Sequence, residues 1–164
     1  MHRRGSKGFT ILELAIVVTI IGILAALAIP LFSHIVKKSR ISTLANDLRS
    51  HGQAIQRYAL EMGEFPESWD VVGEMIPGTE GFVSMTWRQT SPIGGRYTWV
   101  YTQGSIPSNW IGYIQIVETA TNPFSIKLSD MEDLDEDIDD GDISSGYLQV
   151  AGNRIRYFVK MSDG

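Results

Sequence analysis

A long apolar stretch near the start of the chain is its clearest pattern. Residues 14–32 carry no formal charge and consist largely of Ile, Leu, Ala and Val. A helix of this length spans about 28 Å, close to the thickness of the hydrocarbon core of a bilayer. The stretch therefore predicts a helix that can cross a membrane.

Beyond this stretch the apolar residues are spaced as on one face of a helix. Polar residues fill the positions between them, and Gly63 and Pro66 supply a helix end. We predict one helix from Phe9 to about Met62, whose second half, residues 34–62, packs one stripe against a sheet. The stripe comprises Ile41, Leu44, Ala45, Leu48, Ile55, Ala59 and Met62.

The rest of the chain, residues 63–164, alternates between apolar and polar positions and is rich in turn residues. Turns are expected at Gly94-Gly95 and between residues 151 and 154. We predict an α+β fold, in which the long helix packs on a small antiparallel meander sheet and the tryptophans lie in the core or on the sheet. The candidate strands are residues 81–87, 96–102, 110–117, 147–150 and 155–161.

Composition removes several classes of chemistry. The 164-residue chain has no cysteine, which excludes disulfides, thiol nucleophiles and cysteine zinc sites. Its histidines are His2, His34 and His51, so residues 63–164 contain none, and no phosphate-binding glycine loop is present. The net charge is −5, without a basic patch outside two short stretches near the N-terminus. We expect neither an enzyme nor a nucleic-acid-binding protein.

An acidic run at residues 130–142, expected to form a loop, is the one candidate metal site. Its alternating aspartates begin like an EF-hand, but Gly141 comes one place late and Gly146 replaces the closing glutamate. Two interpretations remain open: a solvated loop or frayed helix, or a calcium site, with no other cofactor expected. The candidate ligands are Asp135, Asp137, Asp139 and Asp140.

Glu13 is unusual because a carboxylate inside an apolar span costs about 2.5–3.5 kcal/mol at mid-bilayer, and somewhat less near the interface. A signal peptide is disfavoured because no small-residue cleavage site follows the apolar stretch. A plain signal-anchor helix does not need the glutamate. Glu13 therefore either extends to the membrane surface or has a functional partner.

The segment Gly8 to Leu14, GFTILEL, follows a short basic leader and resembles the type III signal of type IV pilins and type II secretion pseudopilins. The resemblance covers residues 1 to about 35, and the helix extends it to about 65. It implies that a prepilin peptidase removes the leader, residues 1–8, by cutting after Gly8 and methylates Phe9. It also implies that Glu13 lies near the Phe9 amine of a neighbouring subunit.

The resemblance further implies that residues 9–33 form the transmembrane and fibre-core helix, loosened at Gly22 and Pro30. Some major pseudopilins hold calcium in a C-terminal loop, which keeps the calcium interpretation open. Basic residues flank the apolar stretch on both sides, so charge does not orient it. The orientation, with the globular head, residues 63–164, in the periplasm or outside the cell, rests on the resemblance alone.

The function implied is a structural subunit of a type II secretion pseudopilus or a type IV pilus. Its partners would be the prepilin peptidase, other pilin or pseudopilin subunits and an inner-membrane assembly platform. It would reside in the bacterial inner membrane as a single-pass protein and then in the fibre. The alternatives are a minor initiating or target-binding subunit, and a membrane-anchored periplasmic binding module that does not polymerise.

Overall fold

The computed structural model describes residues 8–102 and 110–160. The chain divides into two compact units, Met1–Lys38 and Ser39–Gly164. The elements in chain order are helix α1 (Ile11–Met62), a 3-10 helix (Met85–Arg88), strands β1 (Arg96–Tyr101) and β2 (Trp110–Val117), helix α2 (Leu128–Ile138), and strands β3 (Leu148–Ala151) and β4 (Arg154–Lys160). These elements confirm the predicted α+β fold.

Within the first unit, α1 carries an uncovered apolar surface. The large apolar side chains from Phe9 to Ile35 are each between 50% and 91% exposed. α1 is the one helix among the described residues that is long and apolar enough to cross a membrane. It continues without interruption through Gly22 and Pro30, so the loosening expected there stays a prediction.

Within the second unit, the apolar stripe of α1 packs against the sheet, except for Met62, which is 55% exposed. Gly52 marks the close approach, because a Cβ at this position would lie 3.1 Å from Tyr157 Cε1. α1 ends where predicted, with the Gly63 amide donating to the Ala59 carbonyl at 2.9 Å. The buried residues include Ile41, Leu44, Leu48 and Ile55 of α1 and Tyr97, Trp99, Ile114, Ile116, Leu148 and Ile155 of the sheet.

The four strands are antiparallel but do not form the predicted meander. Their order is β1-β2-β4-β3, so β4 lies between β2 and β3. The chain leaves the sheet after β2, forms α2 and returns as β3 at the edge, from which a tight turn leads into β4. Turn chemistry predicts the hairpin of β3 and β4, but the pairing of β2 with β4 depends on contacts distant in sequence.

The predicted strand at residues 81–87 is wrong, because Met85–Arg88 forms a 3-10 helix. The Ser84 hydroxyl caps it by accepting from the Thr86 amide at 3.3 Å. Trp87 is buried, and its indole N–H donates to the Glu74 carbonyl at 2.9 Å. A local side-chain cap and a distant indole contact together override the local preference for a strand.

The acidic run is helical over most of its length, rather than a loop, since α2 extends from Leu128 to Ile138. Met131 and Leu134 are buried and Ile138 packs against the core. These residues recur at helical spacing, so they form an apolar stripe within the run. The stripe is readable in the sequence, but the many acidic residues around it favoured the prediction of a loop.

A buried histidine on α1 is expected to make the second unit sensitive to acid. His51 is 1% exposed and lies edge-on to the rings of Trp87 and Tyr97, each with a centroid distance of 5.2 Å. Burial lowers the pKa of His51 from 6.5 to about 4. Below pH 6.5 the unfolded chain therefore takes up a proton that the folded chain does not. Because of this residue, we expect the free energy of unfolding to fall by about 2 kcal/mol between pH 7.5 and pH 5.

The measurement is urea denaturation of the full chain in detergent at both pH values, followed by tryptophan fluorescence. His51→Gln should remove this loss, whereas His34→Gln, at an exposed position on the same helix, should retain it. The pKa of Asp135 is raised to about 6, mainly by burial, so that group has the opposite dependence and the comparison is between variants. Equal losses in the wild type and His51→Gln would contradict the assignment.

Candidate functional site

The start of α1 is held by a reciprocal pair of hydrogen bonds between Thr10 and Glu13. The Thr10 amide and hydroxyl both donate to Glu13 Oε2 at 2.9 Å. The Glu13 amide donates to Thr10 Oγ1 at 3.2 Å. This is a capping box, in which Thr10 is the N-cap and Glu13 the third helical residue. Its T-x-x-E signature was available in the sequence and went unnoticed.

The predicted cleavage residues lie just outside this cap. Gly8 and Phe9 precede α1 in an exposed segment, and Phe9 is 83% exposed. A Cβ at Gly8 would meet no atom within 4 Å. The peptide bond between Gly8 and Phe9 is therefore accessible, and a small residue is not required there by the packing of this chain.

Glu13 uses one of its two carboxylate oxygens in the helix cap. Its carboxylate completes the helix cap through Oε2, while a carboxylate has a second oxygen able to accept from a further donor. Among the described residues, the Glu13 carboxylate is hydrogen-bonded to Thr10. Phe9 is exposed. The cap orients the carboxylate at the very start of an uncovered apolar helix.

A second candidate site lies where α2 ends. Asp135, Asp139 and Asp140 each place one carboxylate oxygen within 4.8 Å of the others. Asp135 is buried, and neither of its carboxylate oxygens makes a hydrogen bond of standard geometry. Burial, followed by the charges of Asp140 and Asp139, raises the pKa of Asp135 to about 6.

The other carboxylates of this acidic cluster are positioned by the loop after α2. Asp139 Oδ2 accepts from the Tyr147 amide at 2.6 Å, and Asp140 Oδ1 accepts from the Asp142 amide at 3.0 Å. Gly146 has φ +71°, and a Cβ there would collide with the Asp139 carboxylate. These contacts hold three acidic groups together, although like charges favour separation.

Asp137, the fourth predicted ligand, is outside the acidic cluster. It is exposed, and its backbone carbonyl accepts a hydrogen bond from the Arg49 guanidinium. The end of α2 explains the difference: Asp139 is its C-cap, and its amide donates to the Asp135 carbonyl at 2.6 Å, whereas Asp137 lies within the helix on another face. The ligands predicted from the alternating aspartates follow the spacing of an EF-hand loop, not that of a helix.

Comparisons with known proteins agree with the N-terminal geometry. A family model described as the prokaryotic N-terminal methylation motif matches residues 3–29. A fimbrial protein of Eikenella corrodens is 39% identical over 109 residues, covering 58% of this chain and 71% of that protein. The type IV major fimbrial protein of Dichelobacter nodosus is 38% identical over 87 residues, covering 49% of this chain and 56% of that protein.

A type II secretion protein is also among the relatives. Type II secretion system core protein G of Pseudomonas aeruginosa is 32% identical over 68 residues, covering 42% of this chain and 48% of that protein. No solved structure gives a significant match. The chain belongs to the type IV pilin and pseudopilin family. It spans about half the length of the Dichelobacter and Pseudomonas relatives.

Proposed function

We propose that the chain is a structural subunit of a helical fibre, either a type IV pilus or a type II secretion pseudopilus. The observation that carries this proposal is a capped carboxylate, Glu13, at the start of a helix whose large apolar side chains as far as Ile35 are at least half exposed. Such a surface requires lipid or other apolar helices to cover it. A bilayer covers this apolar surface before assembly, and neighbouring helices cover it in the fibre.

Assembly begins with removal of the leader. Cleavage after Gly8 by a prepilin peptidase removes Arg3, Arg4 and Lys7, which would otherwise anchor the helix on the cytoplasmic side. The new amine of Phe9, which the same enzyme methylates, then stands four residues before Glu13. An inner-membrane assembly platform would draw the processed subunit outward, with its head in the periplasm.

Pairing in the fibre supplies axial register. The Phe9 amine of one subunit lies beside the free oxygen of Glu13 in its neighbour, so two buried charges compensate one another. Apolar side chains alone resist sliding only weakly. A minor initiating subunit or an anchored binding module does not need a glutamate that can pair with a neighbouring subunit. The role is structural rather than enzymatic.

The experiment that tests this function is the intact mass of the N-terminus in two fractions. A chain beginning at methylated Phe9 in sheared surface material identifies a pilus subunit. The same mature chain confined to the membrane fraction identifies a pseudopilin or minor subunit. A chain beginning at Met1 in the presence of the peptidase contradicts the proposal and favours the anchored binding module.

Gly8 is expected to be essential for processing. Gly8→Leu places a large side chain where the peptidase must close on the backbone, so the full-length precursor should accumulate in the membrane at the expense of the mature chain. Immunoblotting for the shift in mass measures this. Gly5→Leu, three residues earlier in the leader, is the matched control and should be cleaved normally; normal shortening of Gly8→Leu itself would remove the cleavage assignment.

We also propose that the acidic cluster of Asp135, Asp139 and Asp140 binds a calcium ion. A buried carboxylate without a donor is costly, and it is the feature that distinguishes this cluster from a solvated acidic surface. A hard divalent cation bound by carboxylate oxygens would relieve both the desolvation and the repulsion. Bound calcium would tie the loop after α2 to the helix.

A further inference from the structure

An open groove lies at the end of α1 furthest from the leader, within the second unit. Its volume is about 940 Å³. Tyr58 of α1, the segment after the helix and the end of β1 line it. We call it the aromatic groove and define it by Tyr58, Phe65, Trp69 and Tyr101, with Glu64 and Glu67 at its margin.

Backbone hydrogen bonds hold the wall of the aromatic groove in place. Trp69 pairs with Trp99 as an added bridge on β1, with N–H to carbonyl distances of 2.8 and 3.0 Å. The Trp99 indole donates to the Pro66 carbonyl at 2.9 Å. Ser68 Oγ accepts from the Tyr101 amide at 2.9 Å. A groove formed in this way needs little ordering when a ligand binds.

The chemistry of the aromatic groove suits a cation. The rings of Phe65 and Tyr101 are stacked, with centroids 6.2 Å apart and planes inclined by 19°. Glu64 and Glu67 are exposed at the margin, and among the described lining residues there is no Lys, Arg or His. Aromatic faces attract a guanidinium or ammonium, and adjacent carboxylates pair with it.

The charge pattern of the chain points to the source of this cation. Residues 58–87 contain Glu61, Glu64, Glu67, Asp70, Glu74 and Glu80 but no Lys or Arg. Residues 38–57 contain Lys38, Arg40, Arg49 and Arg57 and a single acid, Asp47. Arg40 is exposed, and its guanidinium donates to the neutral Ser125 hydroxyl at 3.4 Å. A second copy therefore presents a basic segment complementary to an acidic one.

We propose that the aromatic groove of one subunit binds Arg40 of a second copy of this chain. The proposal rests on the fibre proposed above and assigns one of its lateral contacts. Arg40 and Met62 are separated by about 33 Å along a helix axis, so the two copies are displaced by about that distance along parallel helices. The contact joins different surfaces of the two copies, and repetition of such a contact produces an open filament.

Carbodiimide crosslinking of assembled material tests the contact directly. In the full chain, Arg40→Lys keeps the positive charge and supplies an amine that a zero-length reagent joins to a carboxylate in direct contact. We expect a crosslinked peptide between residue 40 and Glu64 or Glu67 by mass spectrometry of dimers. Within one chain these residues are too far apart to react, so the product identifies two copies; its absence from assembled fibres would overturn the proposal.

Charge reversal supplies a second test that does not depend on the reagent. Glu67→Arg and Arg40→Glu alone should each lower fibre yield about tenfold or more, because like charges then face each other. The two together should restore it, whereas Arg40→Glu with Glu132→Arg, an exposed acid on α2, should not. Unchanged fibre yield in the single variants, or a double variant that stays defective, would contradict the binding of Arg40 in the aromatic groove without contradicting the proposed fibre. Absence of wild-type fibres would contradict both proposals.

Discussion

Glu13→Ala is expected to insert in the membrane and to be cleaved, but to enter fibres roughly two orders of magnitude less efficiently than the wild type. The reason is that the variant leaves the Phe9 ammonium of the neighbour buried without its counter-charge. Loss of the Glu13 half of the capping box adds a smaller cost, because the residue 13 amide still donates to the Thr10 hydroxyl. The measurement is the fraction of each variant in fibres formed from mixed wild-type and variant subunits, with processing followed by mass.

Glu13→Gln separates the two tasks of this residue. Glutamine retains the capping box with Thr10 but carries no charge. If the charge sets axial register, Glu13→Gln should fail as severely as Glu13→Ala, whereas a cap alone would leave Glu13→Gln near wild type. Glu132→Gln, at an exposed position on α2, controls for a general loss of negative charge. Equal incorporation of Glu13→Ala into mixed fibres would remove the pairing.

Calcium is expected to raise the melting temperature of the full chain by about 5–10 °C at saturating concentration. The ion binds the folded acidic cluster and relieves the buried charge of Asp135, and the unfolded chain offers no comparable site. Thermal denaturation in detergent with calcium, and again after EDTA, measures the effect. EDTA should reverse it, and magnesium at the same concentration should raise the melting temperature less.

Two aspartate variants locate the ion. Asp135→Asn should abolish the calcium effect and should stabilise the metal-free chain, because it removes a buried charge that lacks a donor. Asp137→Asn, at an exposed position on α2 outside the acidic cluster, should retain the full effect. No rise in the wild type, a rise that EDTA does not reverse, or an equal loss in both variants would contradict calcium at this cluster.

The long helix and its sheet partner were predictable because their signals are local. The apolar stripe with Ile41, Leu44 and Leu48, the end at Gly63 and the alternation in β1 each depend on neighbouring residues. The strand expected at residues 81–87 was wrong because Trp87 is placed by its bond to the Glu74 carbonyl. No local pattern reports such a bond.

The candidate sites divide in the same way. Gly8, Phe9 and Glu13 were predicted as site residues from their order along the chain, and the T-x-x-E cap was readable there as well. The members of the acidic cluster were only partly predictable, because the prediction followed the alternating aspartates of an EF-hand loop where a helix forms. Asp135 lies in α2, whereas Asp139 caps the end of the helix and Asp140 follows in the loop.

By itself, the sequence determined the apolar helix, the processing motif and the absence of cysteine and head histidine chemistry, because each depends on residue type or short-range order. Only the tertiary structure decided that β4 lies between β2 and β3, that Asp135 is buried without a partner, and that Tyr58, Phe65 and Tyr101 line one groove. These features join residues far apart in sequence, and burial is a property of the packed chain rather than of any segment.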